Sequence, residues 1–181
     1  MYSIRQIAEA VERTTPDQHM SSEEKAAFDA ERAEYVTKLD KALRNLSQRV
    51  YLPAAQRIGR VDLYDRPGVA AFALVIALHD FDVPRHVLQA FAKWAQEPGG
   101  PAFAKVGNRH ATPVEEAILR LDAGEDFTFE IVGGAFGRKI FRARWAEDEA
   151  HYAEQDSISP RPTLRLPSSK LIEILLNGLA D

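Results

Sequence analysis

Ile4, Ile7, Ala8 and Val11 recur at helical spacing, and Ser3 stands where an N-cap belongs. They predict a short opening helix stopped by Thr14, Thr15, Pro16 and Asp17. Ser21-Ser22-Glu23-Glu24 then reads as a second helix start, and neither Gly nor Pro interrupts the chain before Val50. Phe28, Tyr35, Leu39, Leu43, Leu46 and Val50 mark a buried stripe along it, which predicts one long helix or two with a bend near Thr37.

Tyr51-Leu52-Pro53 closes that stretch. Gln56-Arg57-Ile58-Gly59-Arg60 and Val61-Asp62-Leu63-Tyr64 read as a small hairpin turning at Gly59. Two strongly apolar helices follow. One carries Val69, Phe72, Leu74, Val75 and Leu78; the other begins at Asp82-Val83-Pro84 and carries Val87, Leu88, Phe91 and Trp94.

Pro98-Gly99-Gly100-Pro101 cannot continue a helix, and it divides the expected organisation into residues 1–97 and 102–181. In the second part, Thr112-Pro113-Val114-Glu115 matches a capping box, so a helix is expected from Val114 to Leu121, ending at Gly124. Residues 127–132 and 139–145 alternate with period two around a glycine-rich turn at 133–137, which makes a hairpin. Residues 146–162 read as a polar loop, 163–166 as a third strand, and Ser168 as the cap of a last helix carrying Leu171, Ile172, Leu175, Leu176 and Leu179. The expected class is α+β.

The composition is that of an ordinary globular chain: 181 residues, 45% apolar and 28% charged. Without cysteine there is no disulfide framework, thiolate nucleophile or Cys-ligated zinc, and a reducing cytoplasm fits. No window approaches the run of about 20 apolar residues that crosses a bilayer, so no membrane partner is expected. None of His19, His79, His86, His110 and His151 stands four residues from another, so no metal site is expected. The glycines at 133–137 join two strands rather than a strand and a helix, and therefore lack the oriented amides of a phosphate loop. Glu147, Asp148, Glu149, Glu154 and Asp156 read as a solvated loop rather than a catalytic pair. The reading is therefore of a protein that is not an enzyme and needs no cofactor.

The net charge is -4, yet residues 38–60 hold six cations, Lys38, Lys41, Arg44, Arg49, Arg57 and Arg60, against the single acid Asp40. Lys41, Arg44, Asn45, Gln48 and Arg49 fall away from the Leu39, Leu43 and Leu46 side of the expected helix, where Lys and Arg suit phosphate and Asn and Gln suit base edges. Arg57 and Arg60 flank the turn, placed for a minor groove or the backbone. Charge pattern alone leaves a solvated cationic face equally open.

The order of these elements adds a resemblance. Leu43-Arg44, then Tyr51-Leu52-Pro53, a wing with Arg57 and Arg60 ending at Tyr64, apolar Val69, Phe72 and Val75, and the turn Leu78-His79-Asp80-Phe81-Asp82-Val83-Pro84 follow one another without a gap. Residues 43–92 resemble the winged helix-turn-helix of the MerR family of bacterial regulators, and Tyr2-Ser3-Ile4-Arg5-Gln6-Ile7-Ala8 resembles its first helix. The resemblance implies a mainly helical winged domain followed by a small α+β domain. It places Arg44, Asn45, Gln48 and Arg49 in a recognition helix and Arg57 and Arg60 in the wing. The chain departs from the family in the insertion 14–37, in Asn45-Leu46 where the family has an aromatic pair, and in the break at 98–101, which prevents the family's long dimerisation helix.

The expected function is sequence-specific binding of double-stranded DNA by a cytoplasmic regulator. The C-terminal region would serve for homo-oligomerisation, for an effector or for a protein partner. The alternative is a protein-interaction module on the same scaffold, with the acidic insertion covering the basic face.

Overall fold

The computed structural model describes residues 1–12, 21–158 and 161–180, with all their side chains except those of Phe136 and Ile158. The expected stop at Thr14, Thr15, Pro16 and Asp17 lies outside them, as does His19. The fold is α+β, mainly helical with small antiparallel sheets.

Strand β1 (Tyr2–Ser3) leads into α1 (Ile4–Val11), whose start is a capping box between Ser3 and Gln6. Helix α2 (Ser22–Val50) is a single uninterrupted rod with its own capping box between Ser21 and Glu24. At 1.5 Å per residue it is about 43 Å long. Of the two readings offered by the sequence, the unbent one is correct: Thr37 Oγ1 donates to Ala33 O within a continuous helix. The expected stripe needs correction. Val36, Leu43, Ser47 and Val50 are the buried positions, Leu39 and Leu46 are partly buried, and Tyr35 is half exposed. The buried positions of α2 run from Val36 to Val50, while nearer its start Arg32 donates to Glu12 O just beyond α1.

Tyr51 ends α2 in the left-handed region, with φ 59. Strands β2 (Gln56–Ile58) and β3 (Val61–Tyr64) pair antiparallel across Gly59, whose φ of 61 is what a two-residue type II′ turn asks of its first central residue. Strand β3 also pairs with β1, giving a three-stranded sheet in the order β1-β3-β2. Helix α3 (Arg66–Asp80) is capped by Asp65 and buried on nearly every side. Helix α4 (Arg85–Gln96) follows after a turn in which Asp82 is left-handed.

The segment 98–101 is not a free tether, because the Gly99 amide donates to Ala111 O and Phe103 packs against the core. A two-strand hairpin unforeseen from the sequence follows, β4 (Lys105–Val106) and β5 (Arg109–His110), turning at Gly107. Helix α5 (Pro113–Asp122) carries the expected capping box, Thr112 with Glu115. The hairpin of β6 (Phe127–Gly133) and β7 (Lys139–Trp145) is present, and a 3-10 turn at Ala135–Gly137 joins its strands.

Residues 146–162 correct the expectation of a polar loop. A 3-10 turn at Ala146–Asp148 runs into α6 (Glu149–Ile158). This helix has no apolar stripe and is held by charge. On the sheet face it covers, Arg142 and Arg144 of β7 converge on the fully buried Glu130, and from α6 Asp156 meets both arginines while Glu149 grips Arg144. The Tyr152 ring stacks under both guanidinium groups. Strand β8 (Thr163–Leu166) pairs with β6, and its Arg165 joins the same network. Of the carboxylates expected to be solvated, Glu149 and Asp156 are therefore partners of the strand arginines, and Glu147 meets Arg120 of α5.

Helix α7 (Ser168–Ala180) closes the chain. Ser168 is its first helical residue rather than its cap. Its buried hydroxyl accepts from the Phe129 amide and donates to Leu166 O, tying the helix to the sheet. The other face of the sheet, with Phe127, Phe129, Ile131 and Trp145, packs against Phe91 and Trp94 of α4. One apolar cluster therefore runs from Ile4 to Leu175, and α3 sits inside it against α4, α5 and α7.

Candidate nucleic-acid interface

The C-terminal half of α2 is oriented by what it buries. Leu43, Ser47 and Val50 face the body, and Gln89 Nε2 of α4 donates to Arg49 O at 2.6 Å, fixing the end of the helix. Residues at i, i+3, i+4 and i+7 share a helix face, so Lys41, Arg44, Asn45 and Gln48 form one outward row with Arg49 at its edge. All five are exposed. The hairpin of β2 and β3 follows the helix end, with Arg57 on β2 and Arg60 at the turn, both exposed beside the apolar tip residues Ile58 and Val61. The seven residues selected from the sequence thus lie on two consecutive elements.

Their partners differ. Among the described residues, the side chains of Lys41, Asn45, Gln48, Arg49 and Arg60 make no hydrogen bond or ion pair. Arg44 is engaged by the carboxylate of Asp40 through Nε and Nη2, each at 3.0 Å. That hydrogen-bonded carboxylate holds the guanidinium pKa above its usual value. Arg57 meets Asp62 across the hairpin at 3.5 Å. The sequence reading counted Asp40 in the charge balance but paired neither Asp40 with Arg44 nor Asp62 with Arg57, although Asp40 stands at the i,i-4 spacing that pairs charges on a helix.

Beside the row, α2 forms one wall of a groove of about 520 Å³, shared with α3 and the turn into α4. Its floor is apolar, with Leu39, Leu46, Ile76 and Val83, and its rim carries Asn45 and Arg49 opposite Asp80 and Asp82. Nothing in the local sequence singled this groove out; it arises because α2 overhangs the α3–α4 turn.

No family model matches the chain. Nor does any curated protein or solved structure match it at a significant level.

Among the described residues no group of three His, Asp or Glu side chains is placed to hold a metal ion. Likewise, no described helix is long and apolar enough to cross a membrane. What the exposed row offers chemically is cationic and amide donors with unused hydrogen-bonding capacity, on a convex helix next to a hairpin.

Proposed function

We propose that this chain is a cytoplasmic DNA-binding transcriptional regulator whose β1, α1, α2, β2, β3, α3 and α4 act as a winged helix-turn-helix of MerR-like kind. The observation that carries the reading is the outward row Lys41, Asn45, Gln48 and Arg49, unpaired among the described residues and continuous with a cationic wing. In this reading Lys41, Arg49, Arg57 and Arg60 meet phosphates, while Arg44, Asn45 and Gln48 meet base edges in the major groove. No covalent step is involved. The C-terminal sheet and α7 serve as the platform for an effector or a partner.

A second reading, a protein-interaction module, draws support from Arg44 and Arg57 already being paired with Asp40 and Asp62. The two readings separate in a selection from random duplexes at low and moderate salt. Enrichment of one motif, lost with Asn45→Ala, supports the regulator. Retention of no duplex at low salt overturns it in favour of the protein-binding reading.

A further inference from the structure

Helix α2 is polarised in charge. Residues 23–34 hold five carboxylates, Glu23, Glu24, Asp29, Glu31 and Glu34, against Lys25 and Arg32, whereas residues 38–49 hold four cations against Asp40. Because the helix is unbroken, its acidic half cannot fold back over its own basic half. The acidic half meets the body beside the end of α1, where Phe28 is partly buried and Arg32 Nη2 donates to Glu12 O at 3.0 Å.

An apolar seam runs along the same rod. Phe28, Tyr35, Leu39, Ala42 and Leu46, with Arg32 in the gap, follow one another at steps of three and four, the spacing by which one helix packs along another. The seam is incompletely covered. Tyr35 is 50% exposed, Ala42 is exposed, and Phe28, Leu39 and Leu46 are only partly buried. It spans about 27 Å, and its C-terminal half forms the floor of the groove beside α3 and α4.

We infer that the acidic half of α2 docks antiparallel onto the basic half of α2 in a second copy of this chain, through this seam. The charges decide both the occupant and its direction. A parallel pair would set five carboxylates against five and the cationic halves against each other, whereas an antiparallel pair sets each acidic half on a basic one. The seam is self-complementary in that direction. A two-fold axis at Thr37 puts Phe28 against Leu46, Tyr35 against Leu39 and Arg32 against Ala42 of the second copy, as an isologous contact requires. It also brings Glu24 near Arg49 of the second copy, and Glu31 near its Lys38, the charges that flank the seam. The pairing goes beyond the DNA reading and stands without it.

The full chain is tested by sedimentation at concentrations up to about 100 µM, where a dimer with a Kd of micromolar order is populated. Native chain sediments as a dimer that weakens with salt. Tyr35→Glu, Glu31→Lys and Lys38→Glu each give monomers, and mixing the two charge-reversed chains restores a dimer. Native monomer throughout, or no association in the mixture, overturns the pairing. Direction is read independently, because the chain has no cysteine of its own. Phe28→Cys and Leu46→Cys chains cross-link when mixed; cross-linking of each only with itself means parallel helices and overturns the proposal.

Discussion

Asp40 holds Arg44 from one helical turn away, with both of its carboxylate oxygens on the guanidinium at 3.0 Å. Arg44 is 44% exposed and Asp40 16%, so the pair sits at the edge of the outward row rather than beneath it. An exposed i,i+4 pair is worth only about 0.3–0.5 kcal/mol. Phosphate or a guanine edge can therefore outbid the carboxylate for the arginine. Asp40→Asn is expected to raise duplex affinity about threefold at low salt, from release of Arg44 and loss of a negative charge near the backbone. Unchanged or weaker binding in a fluorescence titration means that Arg44 is not in the interface.

Arg57 and Arg60 lie on the hairpin of β2 and β3 and Asn45 on the helix row, and they are expected to fail differently. Arg57→Ala and Arg60→Ala weaken binding to every duplex alike, each reducing the slope of log affinity against log salt by about 1. Asn45→Ala leaves that slope in place and relaxes preference at one base pair, worth about 1–3 kcal/mol. Selection experiments on the three variants check the distinction.

Glu130 is fully buried, and two strands aim arginines at it. Removing one member of such a group leaves uncompensated buried charge, which typically costs about 3–5 kcal/mol. Glu130→Ala is expected to lower Tm by roughly 10 °C, since each 1 kcal/mol shifts a chain of this size by about 2–4 °C. Glu154→Ala, on the exposed side of α6, should leave Tm unchanged. Equal Tm values for Glu130→Ala and native chain would mean that the network contributes nothing.

Helix α6 should be the first element to loosen in acid. Hydrogen bonds from Arg144 hold the Glu149 carboxyl below its usual range, and those from Arg142 and Arg144 do the same for Asp156. Protons therefore bind these groups more readily when the chain is unfolded. Their contribution is complete above the ordinary carboxylate range, about pH 4, and is lost as pH falls through the depressed values. Hydrogen exchange across a pH series should show amide protection in residues 150–157 falling before that in α3. Simultaneous loss would contradict a charge-held helix.

Tyr51 holds a left-handed conformation at the end of α2 with its side chain 74% exposed. A side chain in that region costs about 1–2 kcal/mol, a cost that glycine escapes while losing more chain entropy on folding. Tyr51→Gly is expected to raise stability by about 1 kcal/mol, readable as a higher denaturant midpoint. A lower midpoint would assign the ring a packing role against α4.

Much of this fold is legible in the sequence where side-chain pattern and backbone demand coincide. Ser3 with Gln6, Ser21 with Glu24, and Thr112 with Glu115 announced their helix starts, and Gly59 announced the turn of β2 and β3. Helix α6 was illegible because charge holds it. Its partners Arg142 and Arg144 lie on a strand whose alternation of Ile140, Arg142 and Arg144 with Phe141, Ala143 and Trp145 reads simply as one polar and one apolar face. The hairpin of β4 and β5 is too short for a period to show. The candidate row at Lys41, Arg44, Asn45 and Gln48 was legible as an exposed face, whereas the restraint of Arg44 by Asp40 depends on rotamers that no pattern records.

The central claim, that the row on α2 and the wing together grip duplex DNA, is tested most directly by titrating one selected duplex over a range of salt. Native chain and the double variant Arg57→Ala with Arg60→Ala would be compared. The account predicts a steep negative slope for native chain, near -0.9 for each phosphate neutralised, and a slope shallower by about 2 for the variant. Identical slopes, or binding that ignores salt, would contradict it.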